Sequence, residues 1–75
     1  MRIKPEHYQI LIKIFERFGC TYIRTKGDHL VYHYPSAIRP VVIPKYKEVP
    51  VFVIKNNMRI VGMTREEYFE LLKNE

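Results

Sequence analysis

A single thiol, Cys20, is all that this chain of 75 residues carries, and that shortage removes several classes of function. One cysteine forms no internal disulfide and supplies no cysteine-rich zinc set, which suits a reducing compartment. No stretch approaches the roughly 20 apolar residues of a membrane-spanning helix. The opening Met1-Arg2-Ile3-Lys4-Pro5 also lacks the apolar centre of a secretory signal. The expectation is a cytoplasmic protein without a membrane partner. Repeats, low-complexity runs and linker-like stretches are missing too, so residues 1–75 read as one domain. His, Cys and carboxylate residues show no metal-ligand spacing, and neither a metal nor another cofactor is expected.

What is present is apolar and basic. Hydrophobic residues make up 47% of the chain, with six tyrosines and four phenylalanines, which argues for a dense small core and against disorder. The charge is uneven. Between residues 17 and 59, eight lysines and arginines stand against Asp28 and Glu48, whereas the remainder holds five basic and six acidic residues. The middle of the chain is therefore the part that faces a polyanion or an acidic partner.

The periodicity predicts a helix from about Pro5 to Phe18, with proline at the first helical position. Tyr8, Leu11, Ile12, Phe15 and Phe18 form its apolar stripe, and Ile10 and Ile14 widen it. Gly19 ends it. Three strands follow, over Cys20–Thr25, His29–Tyr34 and Val41–Ile43, the last closed by Pro44. Lys26-Gly27-Asp28 is the hairpin connection between the first two. Alternation sets Cys20 and Tyr22 opposite Thr21 and Ile23. It likewise sets His29, Val31 and His33 opposite Leu30, Tyr32 and Tyr34. Ile54, Met58 and Val61 predict a helix over about 53–61, ended by Gly62. Thr64 and Glu67 form a capping box for a last helix to about Lys73, with Tyr68, Leu71 and Leu72 turned inward. The fold class is α+β, in the order α-β-β-β-α(α).

The chemistry concentrates at Arg24-Thr25-Lys26-Gly27-Asp28-His29. Imidazole both takes and gives a proton near neutral pH, and here it follows a glycine turn with two cations close by. RNA-backbone cleavage needs that combination; a non-catalytic RNA-binding surface, or one serving only an acidic protein, shows it as well. His33 lies four residues along the same strand face, roughly 13 Å away at about 3.3 Å per residue, too far for a shared proton relay. It reads as a surface or RNA-contacting residue, and His7 as solvated and without a partner. Lys26, Lys45 and Lys47 are suited to phosphate contact. Tyr22, Tyr32, Tyr34 and Tyr46 suit base stacking, with at least half of them expected in the core.

Several markers then come in sequence: Phe18-Gly19, Arg24-x-Lys26-Gly27-x-His29, Tyr34-Pro35, Val42-Ile43-Pro44, and Arg59-x-x-Gly62-Met63-Thr64. In order and spacing they resemble the HicA-type (YcfA-like) mRNA interferases, the toxin half of the HicA–HicB toxin–antitoxin system. The resemblance covers nearly the whole chain. It implies a double-stranded-RNA-binding-domain-like fold, with a three-stranded antiparallel sheet packed on helices. It also implies metal-independent cleavage of single-stranded mRNA, with His29 in acid–base catalysis. Arg24, Lys26, Lys45, Lys47 and Tyr46 would contact the RNA, and a HicB-like antitoxin would neutralise the toxin. Three positions depart from the family pattern. Asp28 stands where serine or threonine is usual, Lys45-Tyr46 where many members place a histidine, and Phe52-Val53 in place of a Gly-Thr helix opening.

Overall fold

Helix α1 spans Tyr8–Phe18 in a computed structural model that describes residues 2–74. It begins later than the expected Pro5, for a reason that lies in the side chains. His7 Nδ1 accepts a hydrogen bond from the Gln9 backbone N–H at 3.1 Å, which makes His7 the N-cap. The chain before it is paired instead: Glu6 and Val49 exchange backbone hydrogen bonds of 3.4 and 2.7 Å. Pro5 therefore sits outside the helix. His7, expected to be solvated and unpartnered, caps it and stacks on the Tyr8 ring at 4.9 Å between centroids. Leu11, Ile14 and Phe15 are the fully buried stripe, so Ile14 lies at its centre, where the spacing had it widening the edge. The expectations that include Met1 and Glu75 (the opening segment and the domain bounds) lie outside the described residues.

Three antiparallel strands follow: β1 (Thr21–Lys26), β2 (His29–His33) and β3 (Val41–Pro44), in the spatial order β1-β2-β3. The first begins and ends one residue later than expected, because Lys26 pairs with His29 around a two-residue turn, Gly27-Asp28. Gly27 has φ +61°, and no non-glycine among the described residues has positive φ. A left-handed first turn residue followed by an ordinary second one is the type II′ pattern, whose twist matches that of the strands. β2 stops at His33. Tyr34 leaves the ladder and stacks on Phe18 at 5.4 Å. The β2 alternation is as expected: Leu30 and Tyr32 are buried and His33 is exposed on the other face. Pairing extends that division to β3, where Val41 and Ile43 join the core opposite Tyr32 and Leu30.

Helix α2 (Val51–Val61) starts two residues earlier than expected, with Pro50 as its N-cap. It lies along the outer edge of β3, and a buried polar side chain fastens it there. Asn57 donates from Nδ2 to the Val42 carbonyl at 2.9 Å and accepts the Val42 N–H at Oδ1 at 3.4 Å. Helix α3 (Arg65–Lys73) opens on the expected capping box. The Glu67 N–H donates to Thr64 Oγ1 (3.1 Å), and the Thr64 N–H donates to Glu67 Oε1 (2.8 Å). Tyr68 is fully buried, and Leu71 and Leu72 pack partly against the core. Tyr32 crosses from the sheet to α1, its hydroxyl donating to Glu16 Oε2 at 2.9 Å. The arrangement is α+β in the order α-β-β-β-α-α, with the layout of double-stranded-RNA-binding domains.

The core has an alkaline signature. Burial pushes the Cys20 thiol up to about 11. Burial also raises the Tyr32 and Tyr68 hydroxyls, Tyr32 with help from its bond to Glu16. In each case the fold favours the neutral form. Their contribution is complete below the unfolded values, about 8.5 for cysteine and 10 for tyrosine, and is lost as pH rises through the folded ones. Melting temperatures are expected to decline from about pH 9 upward on this account. Iodoacetamide at pH 8 should label Cys20 slowly in the native protein and promptly in urea. Equal labelling in both would show a thiol open to solvent.

Candidate functional site

An irregularity in β1 assembles the outer face of the sheet. Regular alternation would put Arg24 on the same side as Tyr22. The register instead shifts between Tyr22, paired with Tyr32, and Arg24, paired with Val31. Ile23 is the extra residue of a β-bulge, which re-aims the side chains that follow it. Residues paired across a sheet share a face, so Arg24 joins Val31 and Lys26 joins His29 on the outer side. Tyr22 stays on the inner side, edge-on to Tyr32 at 5.7 Å. Its hydroxyl and Thr25 Oγ1 are hydrogen-bonded at 2.6 Å across the bulge. The expected alternation of this strand therefore holds only as far as Tyr22, and its failure makes two cations neighbours of the histidine.

His29 lies in a row across the three strands, between Lys26 and Pro44. Its side chain is 44% exposed, and Nδ1 is 2.8 Å from Asp28 Oδ1. An ionised carboxylate only accepts, so Nδ1–H donates to Asp28. The carboxylate thereby selects the tautomer whose Nε2 is free to exchange a proton with a ligand. The turn makes this possible, since it places Asp28 immediately before His29. Tyr46 meets the imidazole edge-on, with ring centroids 6.3 Å apart and planes at 74°.

Backbone bonds hold the loop that carries Tyr46. The Lys45 N–H donates to the Asp28 carbonyl at 2.8 Å, and the Tyr46 N–H to the Pro44 carbonyl at 2.8 Å. On the other side the Tyr46 carbonyl accepts from the Tyr8 N–H at 3.1 Å. The loop is thus clamped between the hairpin turn and the start of α1. That places Lys45 beside the turn.

Of the residues singled out from the sequence, Arg24, Lys26 and His29 share this face by strand pairing, Tyr46 meets the His29 ring, and Lys45 is exposed beside the turn, held there through its backbone. Lys47 is exposed farther along the same loop, and His33 is exposed at the far end of β2, opposite Thr21. Tyr32 belongs to the core and Tyr34 packs partly against it, while Tyr22 and Tyr46 remain about half exposed. Among the described residues no three His, Cys, Asp or Glu side chains converge as a metal set.

One part of the face escaped the sequence reading. A groove of about 730 Å³ opens beside His29, between β3 and α2. Pro44 and Tyr46 line it from the sheet and loop; Phe52, Lys55, Asn56 and Arg59 line it from the helix. Phe52 is 74% exposed. The signal was available: positions 52, 55, 56 and 59 share one helical face. It lies beside the apolar stripe of Ile54, Met58 and Val61, which alone carries the helical periodicity of this segment.

A family model described as the HicA toxin of bacterial toxin–antitoxin systems matches residues 8–63, from the first residue of α1 through the residue after Gly62. A search of curated proteins returned no match. No helix among the described residues is long and apolar enough to cross a membrane. The family match spans the helix, the bulged sheet with its His29 turn, and the helix that walls the groove, and on that ground the chain belongs to the HicA toxin family of bacterial toxin–antitoxin systems.

Proposed function

We propose that this toxin is an mRNA interferase that cleaves single-stranded RNA in the cytoplasm without a metal, through His29. The observation that carries the reading is the Asp28–His29 pair at 2.8 Å, set directly opposite Lys26. In this reading Nε2 of His29 removes the proton from a ribose 2′-OH, and the oxygen attacks the adjacent phosphorus. The 5′ oxygen leaves with a proton from solvent or a neighbouring ammonium. The products are a 2′,3′-cyclic phosphate and a 5′-hydroxyl, and the imidazolium returns its proton to water. Lys26, Arg24 and Lys45 stabilise the charge that develops on the phosphorane oxygens. Lys47 and Tyr46 extend the contact along the strand. The partner that silences the toxin is a HicB-like antitoxin with acidic character over the His29 face, competing there with RNA.

A second reading, an RNA-binding module without catalysis, draws on Asp28, a carboxylate beside the phosphate His29 would receive, and on Lys45-Tyr46 standing where many members have a second histidine. Labelled single-stranded RNA incubated with the purified protein in EDTA separates the two. Cleavage leaving cyclic phosphate ends is expected from the wild type. Asp28→Asn should slow it several-fold, because an amide can also donate and so releases the imidazole tautomer. Binding without any cleavage would overturn the enzyme reading.

A further inference from the structure

We infer that the groove between β3 and α2 seats an unpaired nucleobase, the one adjoining the phosphate presented to His29; this rests on the ribonuclease reading above. Its volume of about 730 Å³ falls within the range of about 300–1,000 Å³ that holds small organic ligands. His29 and Tyr46 line it on one side, and Phe52, Asn56 and Arg59 on the other. A nucleotide whose phosphate lies at His29 therefore has a base within reach of the groove.

Three features select a base as the occupant. Phe52, in the first turn of α2, belongs neither to the core nor to its partly buried rim, although it is one of only four phenylalanines in the chain. An exposed aromatic ring offers the sequence-tolerant stacking by which unpaired bases are held. Lys55 and Arg59 flank it, and among the described residues no aspartate or glutamate lines the groove, so its helix wall attracts a nucleic-acid backbone. Asn56, exposed between them, has both a donor and an acceptor with which to read a base edge. Phe52 replaces part of the Gly-Thr opening usual in the family, so the stacking surface is a feature of this chain, and Asn56 beside it is the group that discriminates between bases.

Four short 2′-O-methyl oligoribonucleotides, one per base, serve as probes; the methyl group removes the attacking hydroxyl, so affinity is read without cleavage. Phe52→Ala should weaken all four probes, by about tenfold, as expected for a lost base–aromatic stack, and leave the slope of affinity against salt unchanged. Phe52→Trp should restore the affinity. Arg59→Ala should instead lower the salt slope by about one phosphate contact. Phe52 and Arg59 are exposed, and circular dichroism melts should show both variants folded as the wild type. If Phe52→Ala binds all four probes like a wild type that cleaves unmodified RNA, the nucleobase seat is overturned and the ribonuclease reading stands. A wild type that neither binds the probes at low salt nor cleaves RNA overturns both.

Discussion

His29→Ala should cost this toxin about 10²–10⁴-fold in RNA cleavage, the usual worth of a positioned acid or base, while changing neither its fold nor much of its RNA affinity. The separation follows from where the histidine sits. Its side chain is 44% exposed and its polar partner is Asp28, at 65%, so removing the ring opens no cavity in the core. A surface change of that kind shifts stability by about 0.5 kcal/mol or less. In the proposed reading affinity comes mainly from cations such as Arg24, Lys26 and Lys45, which remain. The measurement is paired: single-turnover cleavage of labelled RNA, and a binding isotherm for the same variant. Expression should show the same split, with growth arrest by the wild type and none by His29→Ala. A variant that still cleaves within a few-fold of wild type would remove His29 from the chemistry. A variant that melts many degrees lower would mean that the imidazole is structural.

That site was half legible in the sequence. The glycine turn, the histidine and the flanking cations are local, and local signals survive being read one residue at a time. The bulge at Ile23 was not legible, because nothing in Tyr22-Ile23-Arg24 marks an extra residue. It is defined only by what lies opposite on β2, and that pairing decides which face Arg24 and Lys26 occupy. His7 failed for a similar reason. Histidine is an uncommon N-cap, and its role depends on Glu6 being held extended by Val49, more than 40 residues away. The helices α1 and α3 were easier, since an apolar stripe and a capping box are written within a dozen residues. The groove is written in a second stripe of α2, Phe52, Lys55, Asn56 and Arg59, which becomes a wall only because β3 lies alongside.

Asn57→Ala should destabilise the protein by about 2–3 kcal/mol, since it leaves two part-buried backbone groups of Val42 unpaired, each worth about 1–1.5 kcal/mol at the low end of the usual cost. β3 is the last strand of the sheet on its side, and the Val42 N–H and C=O point away from β2. The Asn57 carboxamide supplies one acceptor and one donor to that pair, at 3.4 and 2.9 Å, from a side chain only 3% exposed. A domain of this size has about 4–11 kcal/mol in all, so the loss is a large share of it. At about 4–8 °C per kcal/mol the melting temperature should drop by about 8–24 °C. Asn57→Asp keeps the acceptor and removes the donor: a carboxylate still accepts the Val42 N–H, but it leaves the carbonyl unpaired and adds a buried charge. It should do no better than alanine. Hydrogen exchange at the Val42 amide should accelerate in Asn57→Ala, and less in Asn57→Asp, which keeps an acceptor for that N–H. The effect reaches function as well, because Asn57 fixes α2 against the sheet and so sets the width of the groove beside His29. RNA affinity measured at 10 °C, where the variant is still folded, should therefore fall although Asn57 itself is buried. A melting temperature within about 4 °C of wild type would show that Val42 finds other partners and that packing alone holds α2 in place.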